Sequence, residues 1–210
     1  MIQNRHNTLK KQIAHYDYCY YVLDKPEISD YEYDKLFLEL QQLEANNPSL
    51  DLSDSPTQRV GGVAVEKFEK VKHSLPMLSL ANTYNIEEIA EFDSRIKKML
   101  KIEADLEYFC EPKFDGLAME LVYQDGKLVK ALTRGDGIVG ENVLSNIKTI
   151  KSIPLRLEQI KYGLFEVRGE VVMLKKDFLT LNLQQQEQGE ESFANQRNAA
   201  AGTIRQLDPK

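Results

Sequence analysis

The sequence predicts an α+β fold in which a helical hairpin precedes an antiparallel sheet. Three observations lead there. Apolar residues recur at helical spacing through residues 1–43. A stretch rich in Pro, Ser, Asp and Gly, NPSLDLSDSPTQRVGG, follows and marks a boundary. Beyond residue 105, short apolar runs separated by turn residues replace the helical spacing.

Taken in order, residues 1–24 read as a helix carrying Leu9, Ile13, Tyr16, Tyr20 and Leu23 on one face, stopped by Pro26. Ser29 opens a second helix. SDYE has the form of a capping box, and Ile28 and Tyr33 occupy the positions of a hydrophobic staple. Leu36, Phe37, Leu40 and Leu43 continue the apolar face, and Asn47-Pro48 closes the hairpin. Residues 1–48 are expected to form a helical domain, 49–68 a linker, and 69–210 the sheet domain. Within the latter, residues 85–101 read as an amphipathic helix with Asn85 and Glu88 as a possible cap. Residues 106–113 and 117–123 read as strands. Asp125-Gly126 is a hairpin turn, and 128–133 the returning strand. Gly135, Gly137 and Gly140 make a glycine-rich loop. Residues 164–173 read as a strand and 175–188 as a helix that runs into the polar stretch QQQEQGEE.

A net charge of −6, from 33 acidic and 27 basic side chains, argues against a broadly basic nucleic-acid clamp. Any DNA contact must come from a local patch or from other parts of a longer protein. A 42% share of apolar residues suffices for a sizeable core. Cys19 and Cys110 lack zinc-site spacing and read as reduced, buried thiols. The apolar runs are too short for a membrane span, and the polar amino terminus is not a signal peptide. The expectation is a cytoplasmic protein with no membrane partner.

Lys113, in EPKFDG, stands between two apolar runs. Burying an ammonium is costly, and burial or cationic neighbours lower its pKa towards a nucleophilic neutral amine. Asp115 would share its strand face, and Gly116 permits a bend or a close approach. A plain Lys–Asp pair at a strand edge is an equally open reading of these residues alone. Arg134, beside the glycine loop, and Arg197 and Arg205, in the small-residue loop ANQRNAAAGTIR, suit phosphate recognition or are simply solvated. Glu166, Arg168 and Glu170 alternate onto one strand face. Glu170 could hold a hydrated Mg²⁺, or Arg168 could pair structurally with Glu166 or Glu170. Tyr16, Tyr20 and Tyr33 read as core aromatics, and Asp30 as a helix-dipole partner. His6, His15 and His73 read as structural or solvated.

EPKFDG carries the KxDG pattern of the covalent nucleotidyltransferases. It stands in one order with HYDYCYYVLDKPEISDYEYDKL, DSPTQRVGG, PMLSL, TRGDG, EVRGEV and FANQRNAAAGTIRQLDP. Across essentially its whole length the chain resembles the amino-terminal part of bacterial NAD-dependent DNA ligases. The resemblance implies that the sheet domain is a nucleotidyltransferase (ATP-grasp-like DNA ligase) domain, incomplete at its carboxy end. It implies that Lys113 takes AMP from NAD with Mg²⁺ or Mn²⁺ present and releases nicotinamide mononucleotide. In the full enzyme that step begins the sealing of nicks in duplex DNA, in replication and repair. For this chain alone it implies self-adenylation at most, weak or no DNA binding, and a monomer. Zinc belongs only to the absent carboxy-terminal part.

The same resemblance implies that Glu111 accepts from the adenine amino group, and that Ser79 and Leu80 lie along the adenosine. Asp115 would orient the ribose or a metal-bound water, and Glu170 would serve the metal. Arg134, Arg197 and Arg205 would contact phosphate and ribose, and Tyr20, Asp30, Tyr33 and Asp34 the nicotinamide half. Two departures stand out: Tyr21 where the family usually has histidine, and Gln196 where it usually has proline. The first removes an imidazole hydrogen bond; the second should loosen the loop before Arg197. An ATP-using nucleotidyltransferase and a non-catalytic nucleotide-binding remnant are the competing readings.

Overall fold

The computed structural model describes residues 2–23, 25–59 and 67–208. The first helix, α1, spans Ile2–Tyr21, and the second, α2, spans Asp30–Ala45. Ser29 caps α2 through its hydroxyl, which accepts from the Glu32 amide, while the Glu32 carboxylate accepts from the Ser29 amide. Leu9 and Ile13 pack against Leu40, with Tyr33, Leu36, Phe37 and Leu43 around them. The buried stripe of α1 is His6, Leu9, Ile13 and Asp17, and it does not continue through Tyr20 and Leu23, which are exposed. Tyr20 stands in the last turn of α1 and Leu23 just beyond its end, where the packed face no longer runs.

Residues 49–59 are tied into the fold rather than forming a loose linker. Pro56–Arg59 is a 3₁₀ turn, and Asp54, Ser55 and Arg59 are buried. Buried Glu44 of α2 accepts from Ser55 Oγ and Thr57 Oγ1 at 2.5 Å each and bonds His6 Nε2 at 2.9 Å. Arg59 donates to the carbonyls of Lys148, Ile150 and Ile153 at 2.9–3.1 Å, reaching across to the sheet. Asp54 does likewise: it accepts from Lys10 of α1 at 2.6 Å and from Arg156 at 3.0 Å. The rest of the proposed linker, 60–66, lies outside the described residues.

Strands β2 (Leu117–Gln124), β3 (Lys127–Thr133) and β5 (Leu164–Val171) form an antiparallel sheet in the order β3-β2-β5. Asp125 and Gly126 both adopt positive φ, 51° and 80°, as a two-residue hairpin turn requires. A second, two-stranded sheet pairs β1 (Lys70–Lys72) with β4 (Val139–Glu141). The core lies on one sheet face: Met119, Tyr123, Leu128 and Ala131 pack with Val143, Ile147, Leu155 and Ile204. Val143 and Ile147 come from the short helix α4, Leu144–Ile147, and the residue before it. α3 (Ile86–Leu100), α5 (Lys175–Glu187) and α6 (Gln196–Ile204) complete the α+β fold.

Three expectations are corrected. No strand forms over 106–113; these residues find no ladder partner and are largely exposed, with Tyr108 reaching α3, where it donates to Asp93 at 2.8 Å. ANQRNAAAGTIR is not a loop but mostly α6, begun by the Asn195 side chain accepting from the Asn198 amide at 2.8 Å. Cys110 is exposed, whereas Cys19 is buried. α3 itself buries none of its apolar residues, although Asn85 caps it as expected.

The opposite sheet face is polar. Glu120 of β2, fully buried, sits across from Arg168 of β5. It accepts from Arg168 Nε at 2.9 Å and bonds His73 Nδ1 at 2.6 Å. Arg168 therefore pairs with Glu120, not with Glu166 or Glu170 along its own strand. Glu120→Ala strands a buried histidine and a guanidinium and should lower stability by about 3 kcal/mol, with Glu120→Gln milder, as read by thermal denaturation. Asp54→Asn should cost about 2 kcal/mol at neutral pH. Burial opposes the Asp54 charge, but Lys10 and Arg156 outweigh it and hold the carboxyl below its ordinary value. Its contribution is thus complete above the unfolded aspartate pKa of about 3.9 and fades as pH falls through the depressed folded value. The gap between wild type and variant should therefore close in strong acid.

Candidate functional site

Gly116 joins EPKFDG to EVRGEV. Its amide donates to Glu170 Oε1 at 3.2 Å, and a Cβ built there would meet the Val171 carbonyl at 2.2 Å. Only glycine permits that approach. Asp115 faces Arg197 from the first turn of α6 at 3.5 Å. At the same end of β2, the Arg134 amide donates to the Ala118 carbonyl, and Arg134 Nη1 donates to Ser79 Oγ at 3.0 Å. Asp115, Gly116, Glu170, Arg134, Ser79 and Arg197 therefore gather around the start of β2.

Lys113 is exposed and irregular in backbone, contrary to the expectation of a buried lysine sharing a strand face with Asp115. Without a ladder for 106–113, nothing carries it into a core. Glu111 is also exposed, and Leu80 extends into solvent. Arg205 does not join the cluster; it forms a two-pronged pair with Glu141 of β4 at 2.8 and 3.2 Å. The glycine loop is self-contained, since Asp136 accepts from the amides of Ile138 and Val139 at 2.8 Å each. These bonds hold the Asp136 carboxyl below its usual range. Gln196 is the first residue of α6 and not a loop residue, a position where proline would also fit because its fixed φ suits the start of a helix.

Asp115 and Glu170 join no cluster of three or more His, Cys, Asp or Glu ligand atoms among the described residues. They do not make a closed cage for a cation. An exposed carboxylate touching a hydrated ion fits the donor chemistry of Mg²⁺, which keeps its water and takes few protein ligands.

A concavity of about 200 Å³ lies on the hairpin. Tyr20, Asp30, Tyr33 and Asp34 all line it, together with Asp17, Tyr21 and Lys151. Tyr33 donates to Asp17 Oδ1 at 2.8 Å and stacks on Phe37, so its ring serves packing as well as the pocket wall. Burial raises the Asp17 carboxyl, against the opposing Tyr33 hydrogen bond, and burial beside Asp17 raises the Tyr33 phenol. Lys151 donates to Tyr21 at 3.0 Å and lies over its ring, so the unusual tyrosine links the hairpin to the segment before β5.

Sequence reading missed Asp17, Glu120 and Lys151. Glu120 carried a signal, a carboxylate inside an apolar strand. Asp17 carried one too, falling on the stripe of Leu9 and Ile13. Lys151 carried none, since it depends on a contact 130 residues away in sequence.

Comparison with known proteins accords with both regions. Residues 65–210 match the family described as NAD-dependent DNA ligase adenylation domain. Residues 1–61 match the family described as DNA ligase-like, N-terminal NAD+-binding domain. A DNA ligase of Bdellovibrio bacteriovorus is 61% identical over 100% of the chain and 31% of its own length. A DNA ligase of Myxococcus xanthus is 53% identical over 98% of the chain and 31% of its own length. One from Geobacter metallireducens is 54% identical over 96% and 31%. The chain thus spans about a third of the length of these curated relatives. With EPKFDG held against EVRGEV, and with both family matches together running almost end to end, the chain belongs to the NAD-dependent DNA ligase adenylation family.

Proposed function

We propose that the chain performs the NAD-activating half-reaction of nick sealing. Residues 1–48 form the unit that grips the nicotinamide mononucleotide half, 49–68 connect, and 69–210 form the nucleotidyltransferase unit that holds the adenylate. The observation that carries this reading is the joining of EPKFDG to Glu170 and Arg197, with the tyrosine–aspartate pocket built separately on the hairpin.

In this reading Lys113 attacks the α-phosphorus of NAD as a free amine. A bond forms between Nζ and phosphorus while the bond from phosphorus to the bridging oxygen breaks. Nicotinamide mononucleotide leaves with that oxygen, and the amine proton passes to solvent. Arg134 and Arg197 offer forked donors to phosphate oxygens and stabilise charge as the bond changes. Arg197 must exchange Asp115 for phosphate, which frees Asp115 for the ribose. Glu111 accepts from the adenine amino group, and Ser79 and Leu80 lie along the adenosine. Glu170 would hold a hydrated Mg²⁺, which offsets phosphate charge when bound. Arg205, committed to Glu141, contributes only after that pair opens. On the hairpin, Tyr20 and Tyr33 stack with the nicotinamide and Asp30 and Asp34 accept from its amide or ribose. Transfer of AMP to a DNA 5′-phosphate, and sealing by a 3′-hydroxyl, belong to the longer ligases that this chain resembles.

Incubation with NAD and Mg²⁺ should add one AMP mass to the chain, and Lys113→Ala should take up none; labelling of the variant would point to another nucleophile. ATP in place of NAD should give no adduct, and labelling with release of pyrophosphate would favour the ATP-using alternative. Asp34→Ala, which removes a pocket carboxylate outside the hairpin core, should raise the NAD concentration for half-maximal labelling by about tenfold, equivalent to ~1.4 kcal/mol. Unchanged dependence would remove the pocket from the reading.

A further inference from the structure

One group of metal-seeking side chains has been given no role above. His15 and Cys19 stand four residues apart on α1, so both project from one helix face. Glu27, in the turn before α2, folds back onto them. Cys19 Sγ lies 3.6 Å from His15 Nε2, and Glu27 Oε2 lies 2.8 Å from the same nitrogen. The three donor atoms all fall within 4.8 Å of one another.

We propose that His15, Cys19 and Glu27 form a binding site for a single zinc ion, closed by solvent in the fourth position. Thiolate, imidazole and carboxylate are the borderline-soft donor set that zinc prefers. Zinc–sulfur and zinc–nitrogen lengths of about 2.3 and 2.05 Å at a tetrahedral angle place sulfur and nitrogen about 3.6 Å apart. The Cys19–His15 pair already stands at that separation. Nitrogen and carboxylate oxygen need about 3.4 Å, so Glu27 retreats slightly as the metal replaces the shared proton. That movement is available, because the His15 and Glu27 side chains are about half exposed, 55% and 54%, and the ion enters from their side. The Tyr16 ring meets the His15 imidazole edge-on at 5.4 Å, which restricts the ring. Burial and the Glu27 charge both hold the proton on the Cys19 thiol. Zinc uptake therefore releases that proton to solvent. Glu27 also lines the tyrosine–aspartate pocket, so an ion here fixes one wall of it.

A bare ion pair between His15 and Glu27, half exposed, would contribute little and would not need the thiol. The two cases separate with cobalt(II) as the probe, added to the full, reduced chain. The site gives a sulfur-to-cobalt charge-transfer band that saturates at one equivalent and is displaced by zinc. Cys19→Ser abolishes the band, while Cys110→Ser, at the exposed second thiol, leaves it unchanged. Glu27→Gln alters an exposed turn and no packed residue, and weakens zinc binding at least about tenfold in a chelator competition. Absence of a band from the wild-type chain overturns the proposal. So does a band that survives Cys19→Ser or vanishes with Cys110→Ser, or zinc affinity that is indifferent to Glu27→Gln.

Discussion

The antiparallel ladder between β2 and β5 is the constraint on which the rest of the sheet and its candidate site depend. Its register sets Glu120 opposite Arg168 and Ala118 opposite Glu170. The same register brings Gly116 beneath the end of β5, where its amide meets Glu170. A slip of β2 by one residue would turn Glu120 into the apolar face and Met119 and Tyr123 out of it, and would part Glu120 from Arg168. The buried Glu120–His73–Arg168 network thus fixes register as well as filling space. Arg168 also donates to the carbonyls of Leu75 and Pro76, which draws the segment leading to Ser79 across the polar face.

The hairpin is attached through buried polar contacts rather than through a wide apolar seam. Glu44 gathers His6, Ser55 and Thr57, Asp54 gathers Lys10 and Arg156, and Arg59 satisfies three carbonyls around the end of α4. Such contacts are directional, so they define an orientation, but each loses most of its value once a partner is removed.

Elements whose stability is local were legible in the sequence. The capping box at Ser29, the Asn85 cap and the Asp125-Gly126 turn involve neighbours in the chain, and their residue types state their geometry. The strand assigned to 106–113 was not, because an apolar alternating run becomes a strand only when another strand bonds it. α6 was hidden by its small residues, which suggested a loop, although Asn195 was a helix-starting residue in plain view. Within the candidate site, the pairing of motifs was legible only as an order along the chain. That Asp115 meets Arg197 while Arg205 turns to Glu141 is decided by where α6 lies against β2 and β4, which no spacing encodes. The expected burial of Lys113 rests on two flanking apolar runs, yet only the second, β2, enters the core; the first is largely exposed, with Phe109 89% accessible.

Asp136 gives the glycine loop a character of its own. By binding the amides of Ile138 and Val139, it occupies with its own carboxylate the inward-facing donors that such loops elsewhere lend to anions. An anion brought to this end of β2 would then meet side chains such as the neighbouring Arg134 and not a preformed main-chain cradle. Attraction between exposed charges is damped by dissolved electrolyte, so under the function proposed above the hold on phosphate at this end of the sheet should weaken as ionic strength rises.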